Sequence, residues 1–395
     1  MYEKYIFCFD CGKEYATNTV AFRCGRCDGS LEIVYDYNKI KHFLSLKKLR
    51  RRPFNHARYK EFFPIKKLIS IDEGGTPLIR AKNLENDLGL KFQLYFKNEA
   101  INPTGSFKDR GSSVEIARAL EKRAKRVVCA STGNMGASVA AYSAMSNLRC
   151  HIFVPNDAIQ TKIEQILAYG ADVFQVRGNY EKAAEMVERA FMDHRGYLTG
   201  DYLFRREGTK SVGFEIAEQV NADYVFCPIG NGTLISATWK AFKEFQKLGF
   251  IRKLPKMVGI QSSRCNPIVK AFRKKSKTIE PVHGSTIAVA IECGNPLDGK
   301  RALGSVKESK GFSEGVSDRE ILRVRELLAR REGLFAEPAG AVALTGLLKY
   351  KHRIKRGSKV VCVITGHGLK TPMTGTRGHV KKVKADPNIV DSLLK

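Results

Sequence analysis

Asn102-Pro103-Thr104-Gly105-Ser106-Phe107-Lys108-Asp109-Arg110-Gly111 is the most informative stretch of the chain. It places one lysine directly after an aromatic residue, in a turn rich in proline, glycine and hydroxyl groups, and an amphipathic helical pattern follows over residues 112–122. The dipole at a helix N-terminus disfavours an ammonium group there, and a neutral amine is the form that Schiff-base chemistry requires. The alternative is an exposed Lys-Asp-Arg triplet at a helix start, and the short motif alone leaves the two interpretations about equal.

Three further segments combine glycine with asparagine or hydroxyl residues, each directly after a short apolar run. They are Ser131-Thr132-Gly133-Asn134-Met135-Gly136, Gly230-Asn231-Gly232-Thr233 and Thr365-Gly366-His367-Gly368-Leu369-Lys370. With the lysine stretch, and in this order, they resemble the motifs of pyridoxal-phosphate enzymes of the tryptophan-synthase-β type, known as fold type II. The last segment is similar to the ending of the threonine synthases within that family. The similarity extends from about residue 74 to residue 372.

The resemblance implies an α/β fold in which two parallel-sheet domains hold pyridoxal 5'-phosphate between them. Lys108 would be the catalytic lysine that carries the cofactor, Asn134 would bond the ring hydroxyl, and Thr365 would face the pyridine nitrogen. The turn from Gly230 to Thr233 would bind the cofactor phosphate, because its backbone amides and the following helix dipole favour an anion. The substrate carboxylate would be held by Ser131, Thr132 and Gly133.

Two cations are predicted to bind a phosphate on the substrate. Arg205 matches the arginine of a threonine-synthase pattern, and Lys162 aligns with a lysine of the same role; an arginine fork and a lysine would together grip three phosphate oxygens. The alternative is a solvated helix end with no ligand. The stretch Thr199-Gly200-Asp201 departs from the Asn-Ser of the family pattern, which leaves room for a different phosphorylated amino acid.

Apolar runs that alternate with helical patterns predict βαβ units and parallel sheets. Strands are expected at 126–130, 150–155, 172–176 and 196–199, with helices at 137–146, 161–169 and 180–193. We expect these strands and helices to form a smaller subdomain, about residues 105–200, inserted in a larger subdomain of residues 74–104 and 201–395. The strands of the larger subdomain are predicted at 224–228, 256–261 and 359–364. Each motif follows a strand, where ligands bind in such folds.

Four cysteines lie in residues 1–38 as two CxxC pairs, Cys8 with Cys11 and Cys24 with Cys27. This spacing predicts a zinc ribbon, in which four thiolates complete a closed tetrahedron and make the Zn²⁺ structural rather than catalytic. A redox dithiol is the alternative, but it needs only one CxxC pair. Residues 39–73 are basic and aromatic and predict a linker with a helix.

The charge of +28 over 395 residues would ordinarily suggest nucleic-acid binding. The basic residues are spread along the chain, and no motif that recognises DNA or RNA accompanies them, so we do not expect nucleic-acid binding to be the function. No segment approaches the roughly 20 apolar residues of a membrane span, and the beginning of the chain lacks a secretory pattern, so a cytoplasmic protein is expected. The resemblance implies a homodimer that acts on a small phosphorylated amino acid.

The leading functional hypothesis is therefore threonine synthase: O-phospho-L-homoserine and water give L-threonine and phosphate. A β-replacement enzyme for O-phosphoserine, forming cysteate or cysteine, is the alternative that the departure at Thr199-Gly200-Asp201 favours. Serine or threonine dehydratase activity is weaker, because it needs no second set of phosphate ligands. A zinc-ribbon nucleic-acid-binding protein is the hypothesis from another class.

Overall fold

The computed structural model describes residues 2–19, 21–178, 180–193 and 196–372, together with 383 and 385. In these residues the strands are β1 Glu3–Cys8, β2 Glu14–Tyr15, β3 Leu31–Tyr35, β4 Leu78–Arg80, β5 Gln93–Asn98, β6 Arg126–Ala130, β7 Arg149–Pro155, β8 Asp172–Val176, β9 Tyr197–Thr199, β10 Tyr224–Pro228, β11 Lys256–Ser262, β12 Phe312–Val316 and β13 Lys359–Ile364. The α-helices are α1 Tyr37–Phe43, α2 Leu46–Arg50, α3 Lys82–Asp87, α4 Lys108–Glu121, α5 Asn134–Met145, α6 Gln160–Ala168, α7 Tyr180–Met192, α8 Leu203–Thr209, α9 Ser211–Gln219, α10 Thr233–Lys247, α11 Pro267–Arg273, α12 Gly299–Glu308, α13 Asp318–Glu332 and α14 Pro338–Lys349. None of the described helices is both long and apolar enough to cross a membrane.

The larger sheet has six strands in the order β12-β11-β10-β13-β5-β4. All neighbours are parallel except β4, which pairs antiparallel with β5 at one edge. The central strands β10 and β13 are nearly continuous apolar runs, because helices cover both faces of the sheet. Their carboxyl ends carry the turns that begin at Ile229 and Thr365.

The smaller sheet is entirely parallel, in the order β8-β7-β6-β9. Its strands lie within a residue of the predicted ones, and the expectation of two parallel-sheet α/β units is confirmed. The subdomain limits at 105 and 200 remain a prediction. Strand β6 lies inside the sheet, so the turn at Ser131 opens at its carboxyl end.

A third, antiparallel sheet is formed by β2, β1 and β3 and carries the cysteine pairs. It is joined to the larger unit through Glu207, which accepts hydrogen bonds from Tyr35 Oη (2.8 Å), Lys210 Nζ (2.6 Å) and Lys240 Nζ (2.5 Å). The basic segment 39–73, predicted as a linker with a helix, contains most of α1, all of α2 and a 3₁₀ helix at His56–Phe62, and its Phe62 is fully buried. It is therefore packed against the larger unit.

Helix α4 begins at Lys108, four residues before the predicted helical pattern. Asp109 accepts hydrogen bonds from the amide (2.8 Å) and hydroxyl (2.5 Å) of Thr104, which folds the Pro-Thr-Gly turn back onto the first helical turn. The Phe107 amide donates to Thr365 O (3.1 Å) and ties the turn to the end of β13. Lys108 is therefore held on a helix rather than in a loop.

Candidate active site

A cavity lies between the six-stranded and the four-stranded sheet. Its lining includes nine of the predicted site residues, namely Lys108, Ser131, Thr132, Asn134, Gly230, Asn231, Gly232, Thr233 and Thr365. They come from the start of α4 and from the turns after β6, β10 and β13. The structure therefore brings together four sequence segments that are up to 257 residues apart in the numbering.

Lys108 lies in the cavity wall beside a carboxylate. Its Nζ is 3.2 Å from Asp201 Oδ1 and 3.4 Å from Oδ2, and Asn231 Nδ2 donates to Asp201 Oδ2 at 2.9 Å. Burial raises the pKa of the Asp201 carboxyl, but the charges of Lys108 and Arg205 bring that pKa below its ordinary value. The site thus contains an ionised carboxylate that fixes the lysine side chain.

The turn before Lys108 is fixed by the loop that follows β13. Lys370 Nζ donates to Thr104 O at 2.6 Å and to Gln165 Oε1 at 2.5 Å. His367 Nδ1 accepts from the Leu369 amide at 3.2 Å, which shapes the loop that carries Lys370. These contacts join the lysine turn to the loop after β13.

Arg110 anchors α4 to the larger unit from inside the protein. Its side chain is fully buried, and its guanidinium donates to Glu99 at 2.6 and 2.7 Å and to Glu215 at 2.6 and 2.9 Å. Further bonds reach Ser211 (3.0 Å) and Thr76 (3.2 Å). Since Lys108 is two residues away, this network fixes the first turn of α4.

The Gly230–Thr233 turn forms the N-terminus of α10, a helix of 15 residues. Its first amides have no partner within the helix and face an anion-favouring dipole. Gly232 has φ +97°, and a Cβ there would lie 2.8 Å from the carbonyl oxygen of Asp298. Only glycine suits this tight, left-handed turn.

Asn134 lies across the cavity at the N-terminus of α5. Its Nδ2 donates to Glu337 Oε1 at 2.6 Å, while its buried Oδ1 has no partner within the described part of the chain. Glu337 also pairs with Lys162 Nζ at 3.1 Å. The Lys162 stem packs against Gly133, where a Cβ would lie only 2.2 Å from Lys162 Cδ.

Three predicted residues do not line this cavity. Gly133 lies within the turn, and Lys162 lies behind it, paired with Glu337. Arg205 is fully buried and donates to Glu115 Oε2 (2.5 Å), Gly200 O (3.1 Å) and Lys108 O (3.2 Å). In this structure Arg205 therefore holds the backbone around the site rather than facing the cavity, and its role as a phosphate ligand stays a prediction.

Several lining residues had no role assigned from the sequence. They are Phe107, Met135, Tyr180, Asp201, Pro228, Leu234, Val289, Ala290, Ile291, Glu292, Cys293, Glu337 and Ala339. Asp201 had a signal, since it lies in the stretch that departs from the family pattern. Glu337 directly precedes Pro338, a proline at the first position of α14, and that is the one local cue to it. A wider neighbouring cleft shares Thr132, Tyr180 and Asp201 with this cavity.

The second site is the cysteine cluster of the N-terminal sheet. The four Sγ atoms of Cys8, Cys11, Cys24 and Cys27 all lie within 4.8 Å of one another. Tyr15 Oη is 3.0 Å from Cys24 Sγ. Burial raises the pKa of the Cys24 thiol, but the bonds from Tyr15 and from backbone amides outweigh it and bring that pKa to about 6. Four thiol groups this close together suit a metal ion.

Pyridoxal phosphate fits the main cavity. The amine of Lys108 faces it, the amides of α10 provide an anion site, and the unpartnered Oδ1 of Asn134 offers a polar contact for a ring substituent. Thr365 adds a neutral hydroxyl. The amine, the amides and the polar side chains thus match, in that order, the aldehyde, the phosphate and the ring of that cofactor.

Comparison with known proteins agrees with this chemistry. The family model described as pyridoxal-phosphate dependent enzyme matches residues 69–366. The solved structure of the T.th. threonine deaminase has the same fold, with a TM-score of 0.64 and 23% identity over 82% of this chain and 98% of that one. The structure of maize serine racemase gives a TM-score of 0.65 and 22% identity, over 74% and 88% of the two chains.

Relatives with higher identity share one name. The threonine synthase of Methanocaldococcus jannaschii is 46% identical, over 98% of this chain and 98% of that protein. The threonine synthase of Methanosarcina acetivorans is 39% identical over 98% and 96%, and that of Synechocystis is 36% identical over 83% and 86%. They favour this activity over replacement on O-phosphoserine. The chain therefore belongs to the threonine synthases of the pyridoxal-phosphate dependent enzyme family.

Proposed function

We propose that this chain converts O-phospho-L-homoserine and water to L-threonine and phosphate, as a pyridoxal-phosphate-dependent carbon–oxygen lyase. The observation that carries the proposal is the cavity in which Lys108 lies between two strand-to-helix turns, one at Ser131 and one at Gly230. Besides the leaving phosphate, the adduct of cofactor and substrate carries the cofactor phosphate and the substrate carboxylate, and each turn suits one of these two.

We assign the residues around the cofactor as follows. The turn from Gly230 to Thr233 would hold its phosphate, Asn134 its ring hydroxyl and Thr365 its ring nitrogen. When bound, pyridoxal phosphate supplies an electron-withdrawing ring that stabilises negative charge at the substrate Cα. The hydroxyl of Thr365, unlike a carboxylate, does not hold the ring nitrogen protonated. Ser131, Thr132 and Gly133 would orient the substrate carboxylate.

Lys108 is the residue placed to move protons. Its amine would accept the proton from the substrate Cα and then serve at Cβ, because it lies within reach of both once the substrate is bound. Asp201, 3.2 Å from Nζ, would stabilise the ammonium form between these steps. Asn231 orients Asp201 by its 2.9 Å bond.

Phosphate leaves from the substrate Cγ, so a cation near that atom would stabilise the departing charge. We propose Lys162 for this role, since it lies directly behind Gly133 and is paired with the cavity residue Glu337. Arg205 would act on the substrate phosphate only if its bond to Glu115 opened; in its present position it fixes Lys108 O and Gly200 O.

The test is to incubate the purified protein with pyridoxal phosphate and phosphohomoserine and to measure threonine and phosphate. Lys108→Ala should lose both the lysine-bound visible absorbance and turnover, while Lys122→Ala, at the far end of α4, should keep both. If the wild-type protein binds the cofactor and forms no threonine, the proposed reaction is wrong.

We further propose that the cysteine cluster binds one structural Zn²⁺, because four thiolates leave no position for a catalytic water. The cysteines form no disulfide, which suits the reducing cytoplasm.

A homodimer is proposed from the family resemblance, and the exposed Ile101 and Leu369 offer apolar surface for it. Metal analysis and light scattering test the metal and the dimer.

A further inference from the structure

Asp298 connects parts of the chain that are remote in sequence. Its side chain is 2% exposed and lies just before α12. Its Oδ2 accepts from Thr233 Oγ1 at 3.1 Å and from Arg206 Nε at 3.2 Å, and its Oδ1 accepts from Ser30 Oγ at 2.8 Å. Its backbone amide donates to Asn231 O at 2.9 Å. One buried carboxylate thus contacts both the cysteine-bearing sheet and the phosphate-binding turn.

The position of Ser30 depends on the loops that carry the cysteines. The Phe9 amide donates to Ser30 O, and the Cys24 amide donates to Gly29 O, both at 2.9 Å. Gly29 lies so close to the cluster that a Cβ there would be 2.8 Å from Cys8 Sγ. A change in the packing of the four thiols would therefore move the Ser30 hydroxyl.

Helix α12 is fixed to the cysteine-bearing sheet and its loops by charged contacts. Lys300 Nζ pairs with Asp10 at 3.0 Å, and Arg301 pairs with Glu32. The Arg301 guanidinium also lies over the Phe9 ring, 4.7 Å from its centroid. The first turn of α12, and with it Asp298, is thus docked on the cysteine-bearing sheet.

The phosphate-binding turn in turn rests on Asp298. The hydroxyl of Thr233 bonds to its side chain, the carbonyl of Asn231 bonds to its amide, and Gly232 packs against its carbonyl. Amides that bind a phosphate must converge on one point, so a small displacement of this support lowers their joint affinity.

We propose that the cysteine cluster supports the cofactor phosphate site and that Asp298 is the positioning residue through which it does so. The inference rests on the assignment of the Gly230–Thr233 turn to the cofactor phosphate. It predicts that loss of the metal, or of the bond between Ser30 and Asp298, weakens binding of pyridoxal phosphate but not of pyridoxal, which lacks the phosphate.

The experiment measures the dissociation constants of pyridoxal phosphate and of pyridoxal for the full-length protein by absorbance titration. Asp298→Asn should raise the constant for pyridoxal phosphate about tenfold or more, and Ser30→Ala about threefold, because hydrogen bonds to a charged group are lost. Chelator-treated wild-type protein should also show a raised dissociation constant for pyridoxal phosphate, by about threefold or more. The constant for pyridoxal should stay unchanged in each case. Ser45→Ala is the matched control, since its hydroxyl only caps α2.

Thr233→Ala separates this proposal from the assignment of the turn. If Thr233→Ala weakens pyridoxal phosphate binding while Ser30→Ala, Asp298→Asn and the chelated protein bind as the wild type does, the link through Asp298 is wrong. If Thr233→Ala has no effect either, the Thr233 hydroxyl is not a phosphate ligand, and the proposal loses its side-chain link from Asp298 to the cofactor phosphate. Equal losses for pyridoxal phosphate and pyridoxal would mean general loosening of the cleft and would also overturn the proposal.

Discussion

Arg110→Met should be one of the most damaging single substitutions in this chain. The guanidinium is fully buried and bonds to both Glu99 and Glu215, and the one other cation bonded to these carboxylates in the described residues is Lys97, 2.6 Å from Glu215. Methionine fills much of the volume but leaves two buried carboxylates to share one lysine. Removing one partner of a buried ion pair costs about 3–5 kcal/mol, a large share of the roughly 5–15 kcal/mol that stabilises a typical protein.

The assay is urea unfolding followed by the fluorescence of Trp239, the single tryptophan. Arg126→Met is the matched control, because Arg126 is an exposed arginine at the start of β6 and should cost less than about 0.5 kcal/mol. Glu99→Gln combined with Arg110→Met should recover part of the loss, since one uncompensated charge is removed. A difference below about 1 kcal/mol between Arg110→Met and Arg126→Met would refute the account of this network.

Three further outcomes follow from the described contacts. Burial raises the pKa of the Glu207 carboxyl, but the lysines that contact it bring that pKa from 4.5 to about 2. Up to about 3 kcal/mol of stability should therefore be present above pH 4.5 and be lost as the pH falls towards 2. Glu207→Gln should flatten the dependence of unfolding on pH in that window, and a profile like that of the wild type would contradict this prediction. Gly133→Ala should reduce turnover strongly, because its φ is +144° and the new methyl group meets Lys162; steady-state kinetics near the wild-type values would show that the turn tolerates a side chain. Glu337→Gln should lower the free energy of unfolding by about 3 kcal/mol or more, since Lys162 keeps a buried charge without its partner; urea unfolding measures it, and a loss under about 1 kcal/mol argues against that pair.

The strands and turns could be predicted from the sequence because their signals are local. Apolar runs of five or six residues predicted β6, β10 and β13 to within a residue, and the glycine-rich turns after them mark where a backbone must approach a ligand. Strand β12 was not predicted, since Phe312–Val316 is short and contains Ser313, Glu314 and Gly315.

The contacts that complete the site could not be predicted in the same way. Asp201 reaches Lys108 over 93 positions and Glu337 reaches Asn134 over 203, so neither pair has a pattern in the sequence. For Arg205 the sequence carries a pattern, its alignment with a phosphate-binding arginine, but the pattern does not predict where the side chain lies. Its burial against Glu115 depends on how α4 and α8 pack.

The place of β13 in the larger sheet bears on how the chain is made in the cell. This strand, Lys359–Ile364, lies between β10 and β5 and pairs with both, although the ribosome produces it more than 250 residues after β5. Until it emerges, strand β5 lacks its inner neighbour, and the turn that carries Lys108 lacks Thr365 and Lys370. Completion of this sheet must therefore wait for β13, and the apolar edge of β5 stays open to aggregation or to chaperones until then.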